Sequence, residues 1–273
     1  MIFSDTAIVT DLDGTFFGSK SNLVKRNLDA VDYFKKNGGL FAVATGRVHD
    51  NMGLLNDIIP TLVNIPCVQS NGAYAYDYRE KKTYNEIFLN AEKASEYVKL
   101  VTEAFPKVSA RVSTSDGKYI LHDTEWNEFG DRIIGHLPVD KVPRNGWYRV
   151  AFDGPCEMLD AARAHFEKDF REYFDFVKSC DTIYEFNDKT ATKGTALDRL
   201  RELLIKSGRA TEKLKIYAAG DFENDLDMLR HADVPCCPEN AIDRVKAIAK
   251  MRVCRCDDGA IADIIENIEK ERA

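Results

Sequence analysis

Six short, mostly apolar runs recur along the chain: Ala7 to Thr10, Leu40 to Ala44, Ile65 to Gln69, Leu214 to Ala219, Val234 to Cys237 and Met251 to Cys254. Each is read as followed by a polar turn and a longer helical pattern. A run with no polar face must be covered on both sides, so these segments predict a parallel sheet with helices on both faces. Helical patterns are read at Leu23 to Lys36, Lys193 to Ser207, Asn224 to His231, Ala241 to Ala249 and Ala260 to Lys270. The first closes on Asn37-Gly38-Gly39, a good C-terminal stop.

The middle of the chain reads differently. Tyr119 to Leu121, Trp147 to Phe152 and Thr182 to Phe186 look like strands, interleaved with helical stretches at Ala91 to Ala104, Glu125 to Ile134 and Cys156 to Asp169. That order suggests an α+β domain inserted into the first one, with polar crossings near Tyr78-Arg79-Glu80 and Asn187-Asp188-Lys189. The expected fold class is therefore α/β, a Rossmann-like parallel-sheet core (1–76 and 188–273) carrying an inserted α+β domain (77–187). A length of 273 residues agrees, since about 150 residues per domain leaves room for two.

Bulk chemistry narrows the function. A formal net charge of −7 argues against a nucleic-acid groove, which needs a basic face to release counterions. No apolar stretch approaches the roughly 18 residues that span a bilayer, and the N-terminus lacks a signal-peptide layout, so the chain is read as cytoplasmic. Seven cysteines form no regular framework, and Cys236-Cys237 and Cys254-x-Cys256 lack zinc spacing, so free thiols are expected.

Three runs end in polar groups that could do chemistry: Asp11 and Asp13 after the first, Thr45-Gly46-Arg47 after the second, Gly220-Asp221 after the Leu214 run. In an open parallel sheet the carboxyl ends of the strands form the ligand crevice, so these groups should converge. Singly, each has a plainer reading. Asp11, Asp221 or Thr45 could cap a helix, and Lys193 could be a solvated first-turn lysine. A calcium loop from Asp11 is excluded by Phe16 and Asn22 where glycine and glutamate are required, and one from Asp221 fails on Leu226.

Taken together, DLDGT at Asp11, ATGR at Ala44, SNGA at Ser70, TKGTAL at Thr192 and GDFEND at Gly220, in this order and with a long insert before the lysine, resemble the haloacid dehalogenase superfamily. More narrowly the chain is similar to its Cof-type hydrolases, which carry a large α/β cap of the C2 (type IIB) kind. It departs from them at Phe222-Glu223, where many relatives have a glycine, and at Glu239, where a glycine commonly precedes Asn-Ala.

The resemblance implies a Mg2+-dependent phosphatase of small phosphorylated metabolites, sugar phosphates first, with FMN or pyridoxal phosphate behind. Asp11 would attack phosphorus and form an aspartyl-phosphate, and Asp13 would protonate the leaving oxygen and then activate water. Mg2+ would be held by Asp11, Asp221 and the backbone carbonyl of Asp13. Thr45 and the Gly46 amide would bind the phosphoryl oxygens, Lys193 would neutralise charge, and Arg47 and Asn224 would contact substrate. Asp225 would stand behind the metal or position Lys193. Alternatives are a phosphomutase of the same superfamily or a non-catalytic phosphate-binding module, although a mere binder has no need of Asp13. The cap should choose the substrate, but Trp126, Trp147, His122, His136 and Glu185 read more readily as cap core or surface than as site residues.

Overall fold

The computed structural model describes residues 1–126 and 133–272. In chain order the elements are β1 (Thr6–Thr10), α1 (Lys25–Lys36), β2 (Leu40–Val43), α2 (Ile59–Leu62), β3 (Cys67–Gln69), β4 (Tyr74–Asp77) and β5 (Lys82–Tyr84). Then come α3 (Ala91–Ala104), β6 (Ser109–Thr114), β7 (Lys118–His122), β8 (Ile133–His136), β9 (Trp147–Asp153), α4 (Cys156–Phe166), β10 (Phe174–Cys180) and β11 (Ile183–Asp188). The chain closes with α5 (Lys193–Lys206), β12 (Lys215–Ala219), α6 (Leu226–His231), β13 (Val234–Pro238), α7 (Asp243–Ile248), β14 (Met251–Val253) and α8 (Ala260–Lys270).

Two compact units divide this chain, Met1–Asn85 with Lys193–Ala273, and Glu86–Thr192. The first contains a five-stranded sheet in the order β14-β13-β12-β1-β2, parallel throughout. A parallel bridge from Ala44 to Val68 attaches β3 beyond β2, and β3, β4 and β5 continue as an antiparallel meander. The strand order reverses between β1 and β12. Right-handed crossovers then put α1 and α6 on opposite faces of the sheet, and α1 packs with α8 as α5 does with α6. Ile8, Val9, Phe41 and Ile216 are wholly buried, as runs without a polar face require.

The second unit is a six-stranded sheet in the order β10-β11-β9-β6-β7-β8, antiparallel except for β7 with β8. One face carries Val112, Val150, Phe152, Phe174, Phe176 and Phe186, which pack with Tyr97 and Val101 of α3 and Leu159 of α4. Two strands here, β6 and β10, have no counterpart in the sequence reading. The helix expected over Glu125 to Ile134 is corrected at its end: Ile133 and Ile134 belong to β8, paired with Lys118 of β7 at Ile133. Two adjacent β-branched residues suit a strand better than a helix. Residues 127–132 of that expected helix lie outside the described residues. All seven cysteines are free thiols.

One buried side chain ties the first unit's termini to its first crossover. Asn27, wholly buried in α1, donates to the Phe16 carbonyl (2.9 Å) and accepts from the Ile261 and Ala262 amides (3.1 Å each). It thus caps the first turn of α8, whose own N-cap position is Gly259. Asn27→Ala strands two N–H groups and a carbonyl, and should destabilise the protein by about 2–4 kcal/mol, read as a shift in the urea midpoint with little change in slope.

Candidate active site

The reversal of strand order places the ends of β1, β2 and β12 side by side. Thr10 lies in register with Val43 on one side and Ala219 on the other. The Asp11 amide donates to the Ala219 carbonyl (2.8 Å), and Ala44 N–H to the Thr10 carbonyl (2.8 Å). Asp11, Thr45 and Asp221 therefore leave neighbouring strands at one edge, as expected of a crevice at a topological switch point.

Lys193, in the first turn of α5, reaches this edge and is almost wholly buried. Its Nζ donates to Asp11 Oδ1 (2.6 Å) and Asp225 Oδ1 (2.7 Å). Asp225 is further fixed by its other oxygen, which accepts from the amides of Asp221 (2.9 Å) and Phe222 (3.2 Å). Asp221 Oδ1 accepts from Thr15 Oγ1 (2.8 Å). Ligand oxygens of Asp11, Asp221 and Asp225 all lie within 4.8 Å of one another.

Burial raises the Asp11 carboxyl well above its ordinary range, and the nearby Asp225 and Asp221 add to it against the opposing Lys193. Asp221 is pushed up to about 7, first by burial and then by Asp225, against the Thr15 hydrogen bond. Burial favours a neutral Lys193 amine, but Asp11 and Asp225 outweigh it and the ammonium form is held. With all three carboxyls ionised, the one ammonium would leave two negative charges unanswered in a largely buried site, which is why burial and mutual repulsion raise Asp11 and Asp221. Among the described residues, no hydrogen bond engages the second oxygen of Asp11 or of Asp221. A hard divalent cation fits this donor set and its charge.

Gly14 makes the close approach possible. It has φ +77°, and a Cβ there would sit 2.4 Å from Asp221 Oδ2. Its carbonyl accepts from Asn240 Nδ2 (2.8 Å), while Asn240 Oδ1 accepts from the Cys256 amide (2.9 Å).

The remaining candidates fall into two groups. Asp13 is half-exposed and lies outside the three-carboxylate cluster; Arg47 clamps it through Nη2 to both oxygens (2.9 and 3.0 Å) and through Nε (3.3 Å). Thr45 is buried, with its Oγ1 accepting from the Arg47 amide (3.1 Å), and Gly46 lies between the two. Asn224 is buried in the turn Glu223–Asp225 that precedes α6.

Sequence reasoning assigned no part to Thr15, Asn240 or the Ser70-Asn71-Gly72 turn. That turn has three successive left-handed residues (φ 50°, 53° and 105°), a strained arrangement. It is held by hydrogen bonds that the Ser70 amide donates to the Arg47 carbonyl and the Asn71 amide to the Thr45 carbonyl (2.9 Å each). Arg199 of α5 donates to the Gly72 carbonyl (2.7 Å). The SNGA motif was a signal for this turn, because Asn and Gly tolerate positive φ.

Comparison with known proteins agrees with this geometry. A curated Bacillus subtilis protein, 5-amino-6-(5-phospho-D-ribitylamino)uracil phosphatase, is 26% identical over 289 residues, covering 96% of this chain and 97% of its own. A Streptococcus pyogenes protein provisionally named a phosphatase is 26% identical over 267 residues, covering 94% and 96%. Among solved structures, a haloacid dehalogenase-like hydrolase from B. subtilis superposes with a TM-score of 0.79 at 21% identity, covering 95% of this chain and 98% of its own. A sugar phosphatase of haloacid dehalogenase subclass IIB superposes with 0.80 at 16% identity, covering 96% and 98%. These two share the fold. The sequence model of the haloacid dehalogenase-like hydrolases matches residues 8–265, and the chain belongs to that family.

Proposed function

We propose that this phosphatase hydrolyses small phosphorylated metabolites, sugar phosphates first, through an aspartyl-phosphate on Asp11 with Mg2+ as cofactor. The observation that carries the reading is the buried Lys193 ammonium shared by Asp11 and Asp225 beside Asp221, a site that with its carboxyls ionised lacks two positive charges. The names of the relatives support it, since they include a phosphoribityl compound and a sugar among the substrates.

In this reading Asp11 Oδ2 attacks phosphorus while Lys193 holds Oδ1 and offsets charge on the phosphoryl group. Mg2+, held by Asp11, Asp221 and the Asp13 carbonyl, would supply Lewis-acid neutralisation of the phosphate dianion. Asp225 positions Lys193 and the Asp221 backbone. Thr45 and the Gly46 amide receive the phosphoryl oxygens. Asp13 gives its proton to the leaving oxygen, water then attacks phosphorus as Asp13 takes its proton, and Asp11 is released. Arg47 orients Asp13 beforehand, and one of its bonds must open for the transfer.

Phosphate release from a panel of sugar, nucleotide and cofactor phosphates tests the proposal. Release should require Mg2+, stop with EDTA, and fall at least about a thousandfold in Asp11→Asn. Release that ignores EDTA, or survives Asp11→Asn, would overturn it. Transfer of the phosphoryl group to a second position on the sugar, with none reaching water, would identify a mutase.

Gly14→Ala should lower kcat by about a hundredfold, because a Cβ displaces Asp221 by the order of an ångström. Circular dichroism should remain native.

The raised carboxyls set the pH dependence of metal binding. A carboxyl whose folded pKa exceeds its unfolded value loses stability as pH rises from the unfolded value through the folded one. Without metal, the Asp221 penalty therefore grows between about pH 4 and pH 7 and stays constant above. Mg2+ binds the ionised form and relieves that penalty, so its increment in Tm should be larger at about pH 8 than at about pH 5.5. Differential scanning fluorimetry with and without MgCl2 reads both.

A further inference from the structure

The segment that follows β2 is gripped from two directions. On one side it continues the sheet, since the Thr45 amide donates to the Val68 carbonyl of β3 (3.0 Å). On the other it accepts from the Ser70-Asn71-Gly72 turn, whose first two amides donate to the Arg47 and Thr45 carbonyls. Thr45 is therefore bonded to both sheet and turn, whereas the Arg47 carbonyl is met by the turn. From that anchored backbone the Arg47 guanidinium makes three bonds to Asp13. The direction from which Arg47 reaches Asp13 thus follows the turn.

The turn needs support of its own. Ser70 and Asn71 stand at φ 50° and 53°, a conformation that costs energy for a residue with a Cβ and persists only where the surroundings impose it. Arg199 of α5 supplies such a restraint. Half-buried, it donates through Nη2 to the Gly72 carbonyl (2.7 Å) and through Nη1 to Thr195 Oγ1 (3.2 Å). The second bond fixes the guanidinium against its own helix, so the first offers the turn a set position. That helix begins at Lys193, the ammonium that bonds Asp11. One rigid element thus carries the cation on the nucleophile and the cation behind the Asp13 clamp.

Resting on the phosphatase reading above, we propose that Arg199 is a positioning residue for proton transfer: through the Ser70–Gly72 turn and Arg47 it holds Asp13 in the orientation from which the leaving oxygen is protonated. Arg199 itself touches no reacting atom. Thr45, bonded into the sheet, keeps its place without it, so phosphoryl binding is spared. This division has a kinetic signature. The ratio kcat/KM covers the steps up to departure of the leaving group, where a sugar alkoxide needs a proton and p-nitrophenolate does not.

The test measures kcat/KM for p-nitrophenyl phosphate and for the better of glucose 6-phosphate and ribose 5-phosphate. Four proteins are compared: the native enzyme; Arg199→Met, which keeps the aliphatic stem; Arg199→Lys, which keeps a cationic donor; and Asp13→Asn, the reference for a lost acid. Arg199→Met should reduce the ratio of sugar phosphate to p-nitrophenyl phosphate kcat/KM by about 10- to 100-fold, in the same direction as Asp13→Asn and by less. Arg199→Lys should recover part of that ratio, and it carries the test should Arg199→Met not fold. An equal fall for both substrates, or an unchanged ratio, in the folded Arg199 variants would reveal an anchor for the turn and nothing more, and would overturn the inference. An unchanged ratio in Asp13→Asn would remove the acid role on which the inference rests, and the inference with it, while Mg2+-dependent release that requires Asp11 would still stand.

Discussion

One ammonium group holds the candidate site together. Lys193 reaches Asp11 and Asp225 across 182 and 32 residues of sequence, and all three side chains are buried. An isolated charge so placed would be driven to neutrality, so none of the three is tolerable without the others. The contact therefore does structural and chemical duty at once. It joins the end of β1, the start of α5 and the turn before α6. The helices comply: a Cβ at Gly194 would lie 2.3 Å from Asp227 Oδ2, so a larger residue after Lys193 would have to displace the Asp227 side chain where α5 packs on α6.

The sheet supplies what that contact cannot. Because strand order reverses between β1 and β12, no crossover covers the edge between their carboxyl ends, and Asp11 and Asp221 emerge there as neighbours. Hydrogen bonds from outside the crevice then set the loops: Thr15 to Asp221, Asn240 to Gly14, Arg199 to Gly72. Each comes from a residue with no chemistry of its own to offer. Their work is to keep carboxylates at close range without letting them reorient, the positioning on which phosphoryl transfer depends.

Much of this was legible in the sequence, for a physical reason. Strands buried on both faces leave continuous apolar runs, and the polar residue that ends each run marks the crevice, so Asp11, Thr45 and Asp221 stood out before any contact was known, whereas Lys193, which ends no run, was marked only by the resemblance. The inserted unit was less legible. Its strands alternate, with Arg111, Arg149 and Glu185 placed between core residues, and an alternating polar residue looks like a surface one. Glu185 reads from sequence as a surface residue and is instead wholly buried against Arg149. Trp147, by contrast, is core. The Ile133-Ile134 pair was absorbed into a helical pattern because a short apolar pair has no period of its own. Asn27 and Asn240 were invisible for another reason, as a buried asparagine is recognised only by the backbone groups it satisfies.

Charge balance separates the roles of the two polar constellations. In the first unit Lys193 leaves two of three carboxylate charges unanswered, and in a water-poor site that imbalance selects a divalent cation over a neutral ligand. In the second unit Arg149 pairs with Glu185 and Arg111 with Asp153 across neighbouring strands, so these buried charges answer one another within the sheet.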